Sequence, residues 1–324
     1  MIAGLPSDRQ NIKAAVLVHP TYQGYANNPK EIIKYLQAAG FAVLVDEAHG
    51  SHFAADVDPD IPPSALHCEA DLVVHSLHKS AAGLAQTAVL WMRGQRVDPE
   101  RIERCLGWLQ TTSPSALLLA SCESAIHEWT NNQGKQKLRR RIDEGRLLTT
   151  RLTKAGLPII PTQDPLRLIL HTGLIGLSGI DADNIFINNG LIAELPEPGT
   201  LTFCLGLSRH KGLDKQFRRT WERIKKTKDN QSPQPDFTAP PLPLIGQAEI
   251  KLSSAWGASS NVVSLADAEG EIASELTCPY PPGIPLLIPG EKIDFRRAQW
   301  LIKQRLLWKD AIPERIKVMK KTAT

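Results

Sequence analysis

The sequence has no run of the ~20 apolar residues that a membrane-spanning helix needs. Its first ten residues, MIAGLPSDRQ, carry neither the charged start nor the apolar stretch of a secretory signal. No membrane role is expected, and a cytoplasmic location is. Cysteine is scarce, with five residues (Cys68, Cys105, Cys122, Cys204, Cys278) that are odd in number, far apart and never in a CxxC pair. This excludes a disulfide framework and reads as reduced core thiols of an intracellular protein. Charge of one sign is not in excess either: 38 basic against 34 acidic residues leave a net +4, too little to announce a nucleic-acid partner. Aromatic residues make up only 6%, and the tryptophans are scattered, which argues against a base-stacking platform. No internal repeat is found. What is present, 42% hydrophobic and 22% charged residues in a chain of 324, suffices for a sizeable core and about two domains.

The first hundred residues have an α/β rhythm. AAVLVHP (14–20), AVLVDEA (42–48) and LVVHSLH (72–78) are short, continuous and rich in β-branched residues, as expected of strands buried on both faces of a parallel sheet. Between the first two, NPKEIIKYLQAAG (28–40) predicts a helix, with Asn28 capping, Pro29 at the first position, Ile32, Ile33 and Leu36 on one face, and Gly40 at its end. Such a strand–helix–strand crossover brings the carboxyl ends of successive strands to one sheet edge, where open α/β folds bind their ligands.

Further on, a helix is predicted from Asp98-Pro99 to about Gln110, with Ile102, Leu106 and Leu109 inward, before the break TTSPS (111–115). A longer helix follows. In it KQKLRRRIDEGR (135–146) reads as a solvated face, with Leu138, Ile142, Leu147 and Leu148 at helical spacing. LRLIL (166–170), LIAEL (191–195) and LTFCLGL (201–207) are strand candidates. SPQPDFTAPPLPLIG (232–246) has five prolines in fifteen residues and reads as a linker. The expected division is therefore a large domain over 1–155, a small α+β subdomain over 156–230, a linker over 231–246 and a C-terminal α+β domain over 247–324.

Polar density concentrates just after the first three strands, in HPTYQG (19–24), DEAHGSHF (46–53) and HSLHKS (75–80). Asp46 and His49 follow one strand; Ser76, His78 and Lys79 follow another. All five can meet in one crevice. A metal site could use His49, His52, His75, His78 and Asp46. HxxH aims both imidazoles at one ion only on a helix, however, and residues three apart on a strand point to opposite faces. Alternatively, these side chains merely satisfy backbone groups at strand ends. The third reading is a pyridoxal phosphate (PLP) site, which requires an amine, a carboxylate beside the pyridinium nitrogen and donors to the phosphate. Lys79, Asp46 and the pair Ser76 and His78 supply these in turn.

VDEAHGSHF (45–53), ADLVVHSLHKSAAGLAQTAVL (70–90), LQTTSPSALLLAS (109–121) and CPYPPGIPLLIPGE (278–291) together resemble the Orn/Lys/Arg decarboxylases, PLP enzymes of the aminotransferase-like fold type I. The resemblance implies that Lys79 forms the Schiff base with the cofactor, Asp46 pairs with its ring nitrogen and His49 lies against it. Ser76 and His78 would then contact the phosphate, and Thr111 or Thr112 would reach the phosphate of a neighbouring subunit. It further implies a basic amino acid as substrate and a homo-oligomer. YPPGIP (280–285) and Glu275 would lie near the substrate entrance. Family members carry a long segment ahead of the HPTYQG-like strand, including a phosphate-cradling loop and a stacking histidine. Only eighteen residues precede His19 here, so the chain is expected to be a truncated member, inactive or nearly so alone. The competing functions are a non-catalytic remnant associating with a complete paralogue, a PLP enzyme of another type such as an aminotransferase, and a metal hydrolase.

Overall fold

The computed structural model describes residues 12–227, 233, 237–241, 243, 246, 248–280, 283–307 and 311–320. The expected linker over 231–246 lies partly outside them, as do Pro281 and Pro282 of YPPGIP. The chain divides into two compact units, Met1–Ile169 with Cys204–Asp214, and Leu170–Phe203 with Lys215–Thr324.

In the first unit the three predicted strands form as β1 (Ala14–Val18), β2 (Ala42–Asp46) and β3 (Leu72–Ser76), side by side and parallel. The register pairs Val18 with Asp46 and Asp46 with Val74, so the polar segments following each strand leave the sheet at the same edge. The crossover helix α1 (Lys30–Ala38) begins where Asn28 accepts a hydrogen bond from the Lys30 N–H at 3.0 Å. It buries Ile33 and Leu36 against Val43, Val45 and Val73. Each such side chain contributes ~1.5–3 kcal/mol of transfer free energy. One expectation fails at β1. As the edge strand it leaves Val16 and Val18 exposed, whereas Val43, Val45 and Val73 are fully buried in the strands with neighbours on both sides.

The turn of helix α2 (Leu77–Ser80) follows β3 directly, and β4 (Ala88–Met92) returns antiparallel beside it, making the order β1-β2-β3-β4. Helix α3 (Pro99–Leu109) starts as predicted, with the Asp98 side chain accepting from the Glu100 N–H. Its predicted inward face is not buried: Ile102 and Leu106 are half-buried and Leu109 is 86% exposed, with the adjoining Trp108 75% exposed. An amphipathic pattern marks a face that seeks cover, and the described residues of this chain do not cover it.

The long helix is two, α4 (Ala116–Thr130) and α5 (Asn132–Lys154), joined at Asn131, which caps α5 by accepting from the Gly134 N–H. On α5, Leu138 and Ile142 are buried in a cluster with Trp129 and Leu166, and Leu148 is buried too, but Leu147 is exposed. The solvated-face reading also fails for Arg141, which is buried because its guanidinium donates to the carbonyls of Gly206 and Leu205. Beyond α5 come the short β5 (Ile159–Ile160) and β6 (Arg167–His171), where the chain passes from the first unit to the second.

The second unit holds α6 (Gly179–Ile187), β7 (Leu195–Pro196) and most of β8 (Thr200–Cys204) and α7 (Leu213–Thr227). LIAEL is not a strand throughout. Leu191 is tied to the end of α6 by its N–H bond to the Phe186 carbonyl, and pairing with β8 starts only at Glu194. Phe186, Phe203 and Phe217 pack tilted or edge-to-face here at ring separations of 4.9–6.0 Å. After the short α8 (Leu252–Ala255), β9 (Ser260–Ser264) pairs antiparallel with β10 (Arg315–Met319). Helix α9 (Phe295–Gln304), capped by Asp294, buries Leu301 in a core with Ile293, Ile312 and Val318. No helix among the described residues is long and apolar enough to cross a membrane.

Candidate active site at the carboxyl edge of the parallel strands

Asp46 ends β2 and is exposed, its Oδ1 accepting from the Ala48 N–H at 3.0 Å. That turn holds the carboxylate at the sheet edge. The chain then bends tightly through Gly50. A Cβ there would overlap Pro20 Cδ and press on Glu47 Cγ, so only glycine lets the turn pack on the segment following β1. This packing seats His49. Its ring lies 4.2 Å from the Tyr22 ring, its Nδ1 is 3.2 Å from a terminal nitrogen of Arg167, and its Nε2 is 3.1 Å from Lys79 Nζ. Lys79 itself is exposed on α2. The amine, imidazole and carboxylate expected from the sequence thus leave adjacent parallel strands at one edge.

Ser76, the last residue of β3, is half-buried. The exposed His78 donates from Nδ1 to the Thr87 carbonyl at 3.0 Å, because a carbonyl can only accept. Its Nε2 is the ring nitrogen left for a ligand. Thr112 lies in the exposed link 110–115 between α3 and α4 and takes no part in the cluster around Lys79.

Below this edge sits a carboxylate that the sequence reading did not single out. Glu47 is fully buried and takes hydrogen bonds from Ser64 Oγ at 2.5 Å, the Ala65 N–H at 2.9 Å and His75 Nε2 at 2.7 Å. Trp91 Nε1 donates to His75 Nδ1 at 3.0 Å, which places the imidazole proton on Nε2. His52 Nε2 is likewise 3.1 Å from the buried Asp164. The four histidines weighed as metal ligands therefore have separate partners, and among the described residues no three His, Cys, Asp or Glu side chains converge on one point. Tyr22, Asp164 and Arg167 were also missed. Tyr22 stands in HPTYQG, already marked as polar, and the signal for Arg167 was an arginine inside the apolar stretch LRLIL.

Burial, with Lys79 and Arg167 beside it, lowers the His49 pKa to about 3, so the ring is neutral near pH 7. Burial lowers the His19 pKa in the same direction. Between about pH 6.5 and about pH 3 the unfolded chain binds a proton at His49 that the folded chain refuses. Stability contributed by the neutral ring is therefore complete above about pH 6.5 and falls with pH through that window. Thermal melts from pH 7 to pH 4 are expected to show a falling midpoint, with a shallower slope in His49→Gln. Equal slopes in the two proteins would contradict this placement of His49.

Residues 2–169 match the family described as Orn/Lys/Arg decarboxylase, major domain, and residues 250–305 match the C-terminal domain of the same family. Among curated proteins, the chain is 29% identical over 313 residues to an arginine decarboxylase of Bacillus subtilis, covering 92% of this chain and 62% of that protein. It is 29% identical over 299 residues to an arginine decarboxylase of Halalkalibacterium halodurans, covering 87% and 59%. The chain thus spans about three fifths of the length of these relatives. Among solved structures, the E. coli constitutive lysine decarboxylase superposes with a TM-score of 0.76 at 16% identity, over 95% of this chain and 58% of that one. That likeness establishes the fold, the type I fold expected from the sequence, with a mostly parallel sheet and a small C-terminal domain. With its major-domain and C-terminal segments both matched in order, the chain belongs to the Orn/Lys/Arg decarboxylase family.

Proposed function

We propose that the chain serves the PLP-dependent α-decarboxylation of a basic amino acid, arginine, lysine or ornithine. The observation that carries this reading is the placement of Lys79, with His49 Nε2 3.1 Å from its amine and Asp46 at the end of the neighbouring parallel strand. The two curated relatives named above, both arginine decarboxylases, support it. The donor set fits the cofactor: one exposed amine, one exposed carboxylate held by its own turn, a neutral imidazole 3.1 Å from the amine, and the hydroxyl of Ser76 with His78 on the same short segment as the lysine. When bound, PLP supplies an electron sink for the substrate carbon that loses CO2.

The residues divide the work as follows. Lys79 would hold the cofactor through its amine. Asp46 would keep a proton on the pyridine nitrogen, and His49 would lie beside it as a neutral group. Ser76 Oγ and His78 Nε2 would hold the phosphate. The test is the product formed from arginine, lysine and ornithine in the presence of PLP. Release of CO2 with an equal amount of the corresponding amine from at least one of them supports the reading; a 2-keto acid without CO2 contradicts it and favours an aminotransferase.

A second copy of the chain is part of the proposal. Trp108, Leu109, Leu117 and Leu119 are 59–86% exposed around the link that carries Thr112, a large apolar face for a monomer to leave open. A partner covering this face would bring its Thr112 toward the neighbouring site. Leu109→Glu is expected to weaken self-association at least about tenfold, ~1.4 kcal/mol. Sedimentation of the variant at the mass and affinity of the parent would contradict the assignment of this face. The division into 1–155, 156–230, a linker over 231–246 and 247–324 also belongs to the proposal, its C-terminal part supported by the family match over 250–305. So does a cytoplasmic location, supported by five cysteines, none of which is in a disulfide.

A further inference from the structure

Arg167 stands in β6 beside Leu168, Ile169 and Leu170, all at most 2% exposed, and is itself 3% exposed. A cation in such surroundings is tolerated only when it is paired and hydrogen-bonded. Its counterion is Asp164, fully buried, with Oδ2 3.9 Å from a terminal nitrogen of the guanidinium. Asp164 is held in turn by His52 Nε2 at 3.1 Å and the Leu166 N–H at 2.9 Å, both on Oδ1. Burial would raise the Asp164 pKa, but His52 and Arg167 outweigh it and hold the group below the usual carboxylate range. The stem of Arg167 is clamped as well. It passes so close to Gly24, whose φ is +94°, that a Cβ there would overlap Arg167 Cγ and Thr162 Oγ1. The guanidinium has one direction left, toward His49. There its terminal nitrogen meets His49 Nδ1 at 3.2 Å and the His49 carbonyl at 3.4 Å.

We propose that Arg167, anchored by Asp164, is a positioning residue that fixes His49 as the Nε2–H tautomer and so aims an N–H at Lys79. The argument is one of donors and acceptors. A guanidinium only donates, so His49 Nδ1 faces it with a lone pair. The groups around the ring are Lys79, Arg167, Asp164, His78 and Tyr22; burial first, then Lys79, Arg167 and His78, keep it neutral near pH 7 against the opposing pull of Asp164. A neutral imidazole has one N–H, which therefore sits on Nε2, 3.1 Å from Lys79 Nζ. An amine can take that hydrogen bond only through its lone pair, the electron pair with which it attacks a carbonyl carbon. The opposite tautomer would set two donors against each other at Arg167 and offer Lys79 a lone pair. Asp164 and Arg167 thus decide, through His49, that an N–H and not a lone pair faces the amine proposed to attach the cofactor. That consequence rests on the proposed role of Lys79; the tautomer does not.

The test is long-range proton–nitrogen correlation NMR on the full chain labelled with 15N-histidine, with the His49 signals identified by their absence in His49→Gln. At pH 7 His49 is expected to show a protonated Nε2 and an unprotonated Nδ1 as a single tautomer. Arg167→Gln, which can also accept, is expected to lose that single-tautomer pattern, and Arg167→Lys, which again only donates, to restore it. A wild-type spectrum with the proton on Nδ1, or an Arg167→Gln spectrum identical to the wild type, overturns the proposal. The wild-type spectrum decides alone should Arg167→Gln fail to fold. No cofactor is needed for this reading, so a failure here leaves the decarboxylase assignment standing, and a failure there leaves the tautomer standing.

Discussion

Replacing Lys79 by alanine is expected to lower turnover at least about 10³-fold, a loss of ~4 kcal/mol of transition-state stabilisation, while leaving the fold intact. The side chain is exposed, and its hydrogen bond to His49 is also exposed, so its removal touches none of the core beneath it. Surface substitutions of this kind stay within ~0.5 kcal/mol in stability. The loss would therefore be chemical. Without the amine nothing attaches the cofactor in the orientation that Asp46 and His49 serve, and the correct placement of reacting groups accounts for much of an enzyme's rate. Turnover and the melting midpoint measured on the same preparation separate the two effects. Near-normal turnover in Lys79→Ala would remove Lys79 from the mechanism, whereas a collapsed midpoint would make its role structural.

Asp46→Asn is expected to lower turnover by roughly 10²–10³-fold without weakening the fold. Asparagine keeps the oxygen that accepts from the Ala48 N–H at 3.0 Å, so the turn after β2 survives and only the charge is lost. Without that charge no group at this position holds the proton on the pyridine nitrogen, and a neutral ring is a poorer electron sink. Asp46→Ala is a less informative variant because it also removes the turn's acceptor. Turnover of Asp46→Asn close to that of the parent would show that the carboxylate serves the turn and nothing more.

The elements legible in the sequence were those set by local pattern. β1, β2, β3 and α1 fall within a few residues of the predicted spans, because continuous β-branched runs and an N-terminal Asn-Pro act over short distances. The convergence of Asp46, His49 and Lys79 was legible for a topological reason: parallel strands place their carboxyl ends together. What escaped depended on partners far along the chain. Arg141 read as solvated, yet its acceptors are the carbonyls of Gly206 and Leu205. Arg167 read as one letter of a strand, yet it contacts His49 across 118 positions, and Asp164 reaches His52 across 112. The face of α3 was assigned inward because helical periodicity shows that a face is apolar without showing which molecule covers it.

The most direct test of the account is to treat the chain with PLP, reduce with borohydride, digest it and map the modified peptide by mass. Lys79 combines an exposed amine with the imidazole of His49 at 3.1 Å and the carboxylate of Asp46 on the adjoining strand, and it is the residue expected to carry the label. The account predicts one reduced adduct per chain, on the peptide containing Lys79. Label on another lysine with Lys79 unmodified would contradict it.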